Sequence, residues 1–315
     1  MKKILSVLCP IHNEETVIPL FMERAKASFE VLSERYDLRI VFLDNGSSDD
    51  SHGVVSALAD SQPNVYLLRM SRNVGYQNSI NTGLRTVESD VYAIIDVDCE
   101  DPPEMLVRFS DQLEKGHDIA YGVRADRPEP RWIKRLRNLF YRILREVSDD
   151  DSILYMAEFS MFTREVRDAI IDERNSFPFI RSGIARVGFR RIGLPYTRHA
   201  RIAGETHYNL VGMTLFAIGG VLASTTLPLR LPIYALPIWL TLVAGLGSMA
   251  ITSGNNWYIF WAVMLSAFYF GWGIAFIALY TARTYKNSLQ RPSGHVQPSL
   301  SRLPPTSGAR TGSGG

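Results

Sequence analysis

The sequence contains little cysteine and lacks the common phosphate-binding motifs. Its two cysteines, Cys9 and Cys99, lie in apolar, strand-like contexts and have no metal-ligand spacing. They are therefore expected to be reduced, buried thiols rather than a disulfide or a metal site. Neither G-x-G-x-x-G nor G-x-x-x-x-G-K-S/T occurs, which argues against the usual dinucleotide and P-loop sites. A net charge of only +2 argues against a dedicated nucleic-acid binder.

Charge is also scarce in the last third of the chain. Beyond residue 200 there are seven Lys or Arg and one acid, Glu205, whereas the first 200 residues carry 27 basic and 31 acidic side chains. Arg230 is the only charged residue in the long apolar stretch that follows Glu205. Residues 233–253 and 259–281 are each long enough to cross a hydrocarbon core of about 30 Å. The sequence thus predicts a transmembrane hairpin over residues 233–283.

The hairpin divides the chain into segments. We predict a catalytic domain over residues 1–208 and a juxtamembrane segment over 209–232, which is apolar but broken by glycines and prolines and is expected to lie at the membrane surface. Residues 284–315 are rich in Ser, Pro and Gly and are predicted to be a disordered tail. Basic residues flank both ends of the hairpin, so the positive-inside rule predicts a multi-pass protein of the inner (plasma) membrane with the catalytic domain and both termini in the cytoplasm.

Residues 1–125 alternate apolar strand-like runs with helical patterns such as Val17–Arg35. This alternation is typical of an α/β domain whose mostly parallel sheet is covered by helices on both faces. Polar clusters follow each of the first four strands: HNEE, DNGSSDDS, SRNVG and DVDCEDPPE. Because the carboxyl ends of parallel strands meet at one edge of a sheet and bind ligands there, the four loops predict a single site.

Three acids, Asp96, Asp98 and Glu100, follow a buried strand directly. If the strand stayed extended, alternation would place all three side chains on one side. Two carboxylates about 5 Å apart repel by roughly 3 kcal/mol at an effective dielectric near 20, so the cluster is costly without a cation. Carboxylates together with substrate phosphates favour Mg²⁺ or Mn²⁺, and a site for one such ion is predicted here. Solvated loop acids are the alternative.

Five motifs, in this order, resemble the family 2 glycosyltransferases with a GT-A fold: PIHNEE, DNGSSDDS, RNVGYQNSINTG, DVDCEDPPE and ERNSFPFIRSGIARVGFRR. The later RIAGETHYN, TTLPLRL and the hairpin make the chain similar to the polyprenyl-phosphate glycosyltransferases from about Ile4 to Arg283. The resemblance implies a metal-dependent, inverting hexosyltransferase that uses Mg²⁺ or Mn²⁺. Its donor would be a nucleotide-diphosphate sugar, with UDP-hexose favoured over GDP-mannose. Its acceptor would be a polyprenyl phosphate such as undecaprenyl phosphate, and its product a lipid-linked sugar for the cell envelope.

The resemblance also implies the residues of the donor site. The metal ligands would be Asp96 and Asp98, with Glu100 standing where many relatives carry a glutamine. The nucleotide-sugar site would comprise Pro10, Asn13, Glu14, Asp44, Asn73, Gly75, Gln77 and Asp96. For Asn13 and Asn73, a loop-capping role is an open alternative.

Two departures from the relatives fall on the reacting groups. Glu158 stands where relatives carry an aspartate that is the proposed catalytic acid group, and its alternative is an ordinary ion pair with a nearby arginine. His207 replaces a common lysine and would be charged mainly below about pH 6.5. The residues predicted to be catalytic are Asp98, Glu158 and Arg201. Those predicted to meet the acceptor phosphate are Arg124, Arg131, Arg201, His207 and Tyr208.

Partners and rival functions complete the expectations. A basic amphipathic stretch, Arg131–Val147, fits either anionic headgroups or packing on the sheet. Relatives associate through their membrane region, so a homo-oligomer is a candidate state, and no nucleic-acid partner is expected. The alternative function is that of a catalytically silent, membrane-bound sugar-nucleotide binder.

Overall fold

The computed structural model describes residues 2–124, 156–173, 180–199, 225–289, 291–292 and 294–305. Its strands are β1 (Ile4–Ile11), β2 (Asp37–Asp44), β3 (Val65–Arg69), β4 (Val91–Ile94), β5 (Ile119–Arg124), β6 (Met156–Thr163) and β7 (Arg191–Tyr196). Its helices are α1 (Val17–Arg35), α2 (Ser51–Ser61), α3 (Tyr76–Thr86), α4 (Glu104–Glu114), α5 (Arg164–Asp172), α6 (Ile180–Arg186), α7 (Leu227–Ser253) and α8 (Trp257–Ser288). A 3₁₀ turn at Pro298–Leu300 follows.

The seven strands form one sheet in the order β3-β2-β1-β4-β6-β5-β7. The first four strands pair in parallel, β6 runs antiparallel to its neighbours β4 and β5, and β7 is parallel to β5. Every residue of β1 and all but the first of β2 are buried, because helices cover both faces of the sheet. This GT-A-like mixed sheet with helices confirms the predicted fold class.

The core consists of two apolar layers, one on each face of the sheet. Helices α1, α2 and α4 contribute to the first layer, and α3, α5 and α6 to the second. Both cysteines are buried in the first layer and are free, as expected from their apolar contexts. Burial raises the pKa of the Cys9 thiol well above its ordinary value, so this thiol stays protonated and unreactive near neutral pH.

Helices α7 and α8 are both long and apolar enough to cross a membrane, judged by length and composition, and neither apolar window is buried inside the protein. They pack on each other as a hairpin: the Trp239 ring stacks on Tyr269 with centroids 4.7 Å apart, and the Tyr269 hydroxyl donates to the carbonyl of Pro232 at 2.8 Å. α7 begins at Leu227, inside the segment expected to lie at the membrane surface. Pro228 in its first turn suits this start, since the missing N–H is unused there.

The prediction of a disordered tail over 284–315 is wrong for part of its length. α8 continues to Ser288, and residues 294–305 lie along the outer edge of β3 with bridges at Leu67–Arg302 and Met70–Val296. Composition does not reveal this ordered segment, because its backbone hydrogen bonds are made to a distant edge strand and not within the segment itself.

Several predicted features lie outside the described residues. These are the amphipathic stretch Arg131–Val147, the larger part of the 209–232 segment, and the acceptor-site candidates Arg131, Arg201, His207 and Tyr208.

Candidate active site

The chain turns sharply after β4. This strand ends at Ile94, and residues 97–101 form turns and bends in place of an extended strand. Cys99 takes a left-handed conformation with φ 55°. The Asp98 carboxylate, in a residue that is 7% exposed, accepts the backbone N–H of Glu100 at 3.0 Å. The turn therefore replaces the simple alternation that would have aligned three acids on one side.

Asp96 lies immediately before residues 97–101, here termed the acidic turn because they include Asp98, Glu100 and Asp101. It accepts the Tyr76 hydroxyl at 2.7 Å. Burial, followed by the negative charge of Asp98, raises the pKa of Asp96 to about 7. The two aspartates are therefore close enough to repel, and this repulsion disfavours the ionised form of Asp96. A divalent cation would relieve this repulsion.

Glu100 is turned toward a different partner. Its carboxylate forms an ion pair with Arg198, and its backbone carbonyl accepts the N–H of His199 at 2.9 Å. Among the described residues, no three His, Cys, Asp or Glu side chains are placed to share a metal ion. The predicted three-carboxylate site is thus not formed, because the chain bends where the prediction assumed an extended strand.

Glu158 is brought to the acidic turn by the sheet itself. The β4–β6 register pairs Ile94 with Ser160, which brings Asp96, two residues after Ile94, and Glu158, two residues before Ser160, to the same edge of the sheet. The Glu158 side chain is 11% exposed and pairs with the Arg181 Nε at 3.1 Å. The arginine comes from α6, so the predicted alternative of an ion pair with the arginine beside β6 is replaced by a contact across the site.

Tyr76, the first residue of α3, links the two acidic groups. Its hydroxyl donates to Asp96 and also lies within hydrogen-bonding reach of Glu158. Burial, together with the charges of these two carboxylates, raises the pKa of Tyr76 well above its ordinary value. The hydroxyl therefore stays protonated and serves as a donor between the two acids.

Cationic side chains face the turn from β5 and from the segment after β7. The Arg124 Nε donates to the Tyr196 hydroxyl at 3.3 Å, and this hydroxyl donates to Asp101. Burial alone lowers the pKa of Arg124, but the bond to Tyr196 and the charges of Asp101 and Asp96 raise it overall. Arg198 approaches Asp101 to 3.8 Å. Of the predicted acceptor-phosphate residues, Arg124 is the one that the described part of the structure places at this site.

The loops after β1 and β2 hold each other. Asn13, in a left-handed conformation with φ 59°, accepts the Ser48 N–H at 2.8 Å on its side-chain oxygen. The Asp44 side chain is fully buried, accepts the Ser47 N–H at 2.9 Å and forms an ion pair with Arg69. Both predicted donor-site residues thus shape the loops, and their direct contact with a nucleotide remains a prediction.

The loop after β3 is fixed in the same way. The side-chain oxygen of Asn73 accepts the Gly75 N–H at 2.9 Å and the amide of Asn45 at 3.0 Å. Asn45 in turn accepts the Val74 N–H at 2.8 Å. The loop-capping role left open for Asn73 is therefore present in the structure. Of the other donor-site candidates, Pro10 is buried in β1, while Glu14, Gly75 and Gln77 retain exposed surface.

Four residues that the structure places at the site were not predicted from the sequence. These are Tyr76, Arg181, Tyr196 and Arg198. Tyr76 and Arg181 lie within the quoted motifs, but their roles depend on partners from distant segments. No local pattern could have found them.

The residues present fit a divalent cation. Asp96 and Asp98 offer two adjacent oxygen donors, and a hard cation such as Mg²⁺ or Mn²⁺ is commonly bound by one or two carboxylates plus substrate phosphates. The charge of Asp98 adds to the effect of burial in raising the pKa of Asp96, and a bound cation would offset the repulsion between the two carboxylates.

A mixed α/β sheet of this order, with acids that follow β4 and an acid of β6 meeting at its edge, has the architecture of a GT-A-like glycosyltransferase. Residues 6–171 match glycosyl transferase family 2, and the chain belongs to that family. It is 31% identical to the uncharacterized glycosyltransferase YkcC of Bacillus subtilis over 73% of this chain and 71% of that protein. It is also 29% identical to the prophage bactoprenol glucosyl transferase homolog of Escherichia coli over 91% of this chain and 96% of that protein.

A third relative is the undecaprenyl-phosphate 4-deoxy-4-formamido-L-arabinose transferase of Enterobacter sp., 28% identical over 95% of this chain and 94% of that protein. Relatives with these names confirm the predicted resemblance to polyprenyl-phosphate glycosyltransferases. Among solved structures, the mannosyltransferase PcManGT from Pyrobaculum calidifontis, in complex with GDP-Man and Mn²⁺, matches at 18% identity and a TM-score of 0.42, over 88% of this chain and 87% of that one. A likeness at this level identifies neither donor nor metal for this protein.

Proposed function

We propose that the protein is a membrane-bound, inverting glycosyltransferase that moves a sugar from a nucleotide-diphosphate sugar to a polyprenyl phosphate. UDP-hexose is the first candidate donor and undecaprenyl phosphate the first candidate acceptor. The observation that carries the proposal is the meeting of Asp96 and Glu158 around the Tyr76 hydroxyl at the edge of the sheet. Family membership, relatives named for bactoprenol and undecaprenyl phosphate, and two apolar helices support it.

Asp96 and Asp98 would hold the divalent cation together with the donor diphosphate. The bound cation would supply neutralisation of the charge that develops on the leaving nucleoside diphosphate. Asp96 must be ionised for this role, and its hydrogen bond from Tyr76 stabilises the ionised form.

The acceptor needs no strong base, because a phosphate monoester is already anionic near neutral pH. One of its oxygens would form a bond to the anomeric carbon while the bond from that carbon to the diphosphate breaks. The bonding electrons leave with the nucleoside diphosphate, and a single displacement inverts the configuration at the anomeric carbon. Glu158, held by Gln77 and Arg181, would orient the sugar or the attacking phosphate, so most of the rate comes from positioning and electrostatics.

Arg124 is placed to receive the acceptor phosphate. It lies at the end of β5, close enough to Asp96 for their charges to interact. A guanidinium can bind phosphate through two parallel hydrogen bonds. We assign Arg131, Arg201, His207 and Tyr208 to the same phosphate on the strength of the family pattern. The two apolar helices would anchor the domain at the cytoplasmic face of the membrane, where a lipid phosphate is presented.

The test uses the full-length protein in liposomes that contain undecaprenyl phosphate. Radiolabelled UDP-glucose and GDP-mannose are supplied separately with Mg²⁺ or Mn²⁺, and the organic phase is extracted for labelled lipid. Metal-dependent labelling from either donor supports the proposal and identifies the nucleotide. Nucleotide binding without labelled lipid would indicate the silent binder instead, and labelling that survives EDTA would exclude the metal role. Asp98→Asn serves as the inactive control.

A further inference from the structure

The segment 294–305, here termed the C-terminal strap, returns from the second apolar helix to the catalytic domain. Gly294 follows the end of α8 at Ser288 by six residues, a span of at most about 22 Å when fully extended. The strap then runs along β3, which is an edge strand of the sheet. The chain thus connects the membrane hairpin to the sheet edge that carries the donor loops.

The strap completes the hydrogen bonds of the edge strand. Leu67 and Arg302 exchange both backbone hydrogen bonds, at 3.0 and 2.7 Å. The Arg69 N–H donates to the Ser301 hydroxyl at 2.9 Å, and the Arg69 carbonyl accepts the Gln297 N–H at 2.8 Å. The backbone of Arg69 is therefore held on both its N–H and its carbonyl by the strap.

The side chain of Arg69 reaches the donor loops. Its guanidinium forms an ion pair with the fully buried Asp44 and donates to the Ser47 carbonyl at 2.8 Å. Asp44 ends β2 and Ser47 lies in the loop after it, where the Ser47 hydroxyl accepts the Asn13 N–H at 3.1 Å. Arg69 thus connects the strap to the loops that would hold the nucleotide.

The N-terminal end of the strap, at Gly294 and His295, contacts the loop after β3. The Ser71 N–H donates to the His295 carbonyl at 2.9 Å. Gly294 packs so closely that an added Cβ would lie 2.9 Å from the Thr82 hydroxyl and 3.4 Å from a Val74 methyl. Val74 directly precedes Gly75, the residue before the start of α3 at Tyr76. This contact restricts the loop that would close over the donor.

We infer that the C-terminal strap is a positioning element of the donor site, acting through Arg69 and the 71–75 loop. The inference rests on the proposed function, since it concerns binding of a nucleotide-sugar donor. A strap that holds both loops in place lowers the ordering cost of donor binding. The described contacts of the strap fall on β3, the donor loops, Arg39 of β2 and helices α2 and α3, so its loss should raise the donor KM and leave the acceptor KM and kcat unchanged.

Two substitutions in the full-length protein test the inference. Gly294→Val places a branched side chain against Thr82 and Val74, and Gln297→Pro removes the N–H that bonds to the Arg69 carbonyl. Ser299→Val, on an exposed position of the 3₁₀ turn, is the matched control. The measurements are the donor and acceptor KM, kcat, and the Kd of UDP and GDP with Mn²⁺.

We expect both test variants to raise the donor KM and the nucleotide Kd by about tenfold, the effect of losing roughly 1.4 kcal/mol of binding free energy. The control should match the wild type. An unchanged donor KM in both variants, or equal rises in donor and acceptor KM, would overturn the role of the strap. Failure of the wild-type protein to bind either nucleotide would instead overturn the proposed function.

Discussion

The side-chain amide of Gln77 donates to the Glu158 carboxylate at 2.6 Å, while its oxygen accepts the backbone N–H of Ile180 at 3.1 Å. Gln77 belongs to α3, Glu158 to β6 and Ile180 to the start of α6. A residue expected to contact the donor therefore also ties three elements together around the candidate catalytic acid. Glu158 accepts a second bond from Arg181, so its orientation is fixed from two sides.

Replacing Glu158 by Gln should abolish transfer without abolishing donor binding. The substitution keeps the size of the side chain but removes the charge that would orient the reacting groups, and loss of such a group typically costs about 10²- to 10⁴-fold in rate. Turnover is measured by labelled-lipid formation, and binding by calorimetry with UDP or GDP and Mn²⁺. Glu165→Gln, on an exposed position of α5, is the control. Wild-type turnover in Glu158→Gln would remove this residue from the mechanism.

Replacing Glu100 by Gln should leave the metal dependence of the reaction unchanged. Its carboxylate is engaged by Arg198 and is not grouped with the two aspartates. The measurement is the Mn²⁺ concentration for half-maximal activity, with Asp98→Asn as the variant expected to lose metal activation. A clearly higher half-saturating concentration in Glu100→Gln would restore this residue to the ligand set.

Replacing Asp96 by Asn should stabilise the metal-free protein at pH 8 more than at pH 5. The pKa of Asp96 is about 7 in the folded protein and about 3.9 when unfolded. The folded state thus holds the proton more tightly, so the wild type loses stability as pH rises from about 4 to 7. Asn carries no charge and avoids this loss.

Thermal unfolding in EDTA at the two pH values measures this effect. Glu34→Gln, on an exposed position of α1, is the control and should shift the Tm equally at both. The Asp96→Asn variant should also be inactive in sugar transfer. A Tm gain that is the same at pH 5 and pH 8 would contradict the assignment.

Replacing Gly46 by Ala should destabilise the domain more than replacing Gly75 by Ala. Both glycines have positive φ, 70° and 87°, and another residue held in such a sparsely populated conformation costs about 1–3 kcal/mol. A Cβ at Gly46 would also lie 2.6 Å from the backbone of Arg72 and Asn73, whereas one at Gly75 meets nothing within 4 Å. Urea unfolding of the two variants measures the difference. Equal losses would show that the loops after β2 and β3 do not touch as described.

The parts of the fold that were predicted correctly depend on local patterns. The helix Val17–Arg35 was predicted with the bounds that the structure gives it, because its amphipathic period is visible within the segment. The prediction that Glu100 joins the two aspartates as a metal ligand relied on the alternation rule, which assumes an extended strand. In the structure β4 ends at Ile94 and the Glu100 carboxylate pairs with Arg198. The prediction of a disordered tail was wrong for residues 294–305, because they pair with β3, which lies far away in the chain.

By itself, the sequence predicted the alternating strands and helices of residues 1–125, two segments apolar enough to span a membrane, and acids after the fourth strand. These properties follow from periodicity, length and composition, which are local. Only the tertiary structure decided that Asp96 and Glu158 meet at the Tyr76 hydroxyl and that the strap holds the backbone of Arg69. Those contacts depend on the order of strands in the sheet, because β6 enters antiparallel beside β4 and sequence spacing does not encode which strands become neighbours.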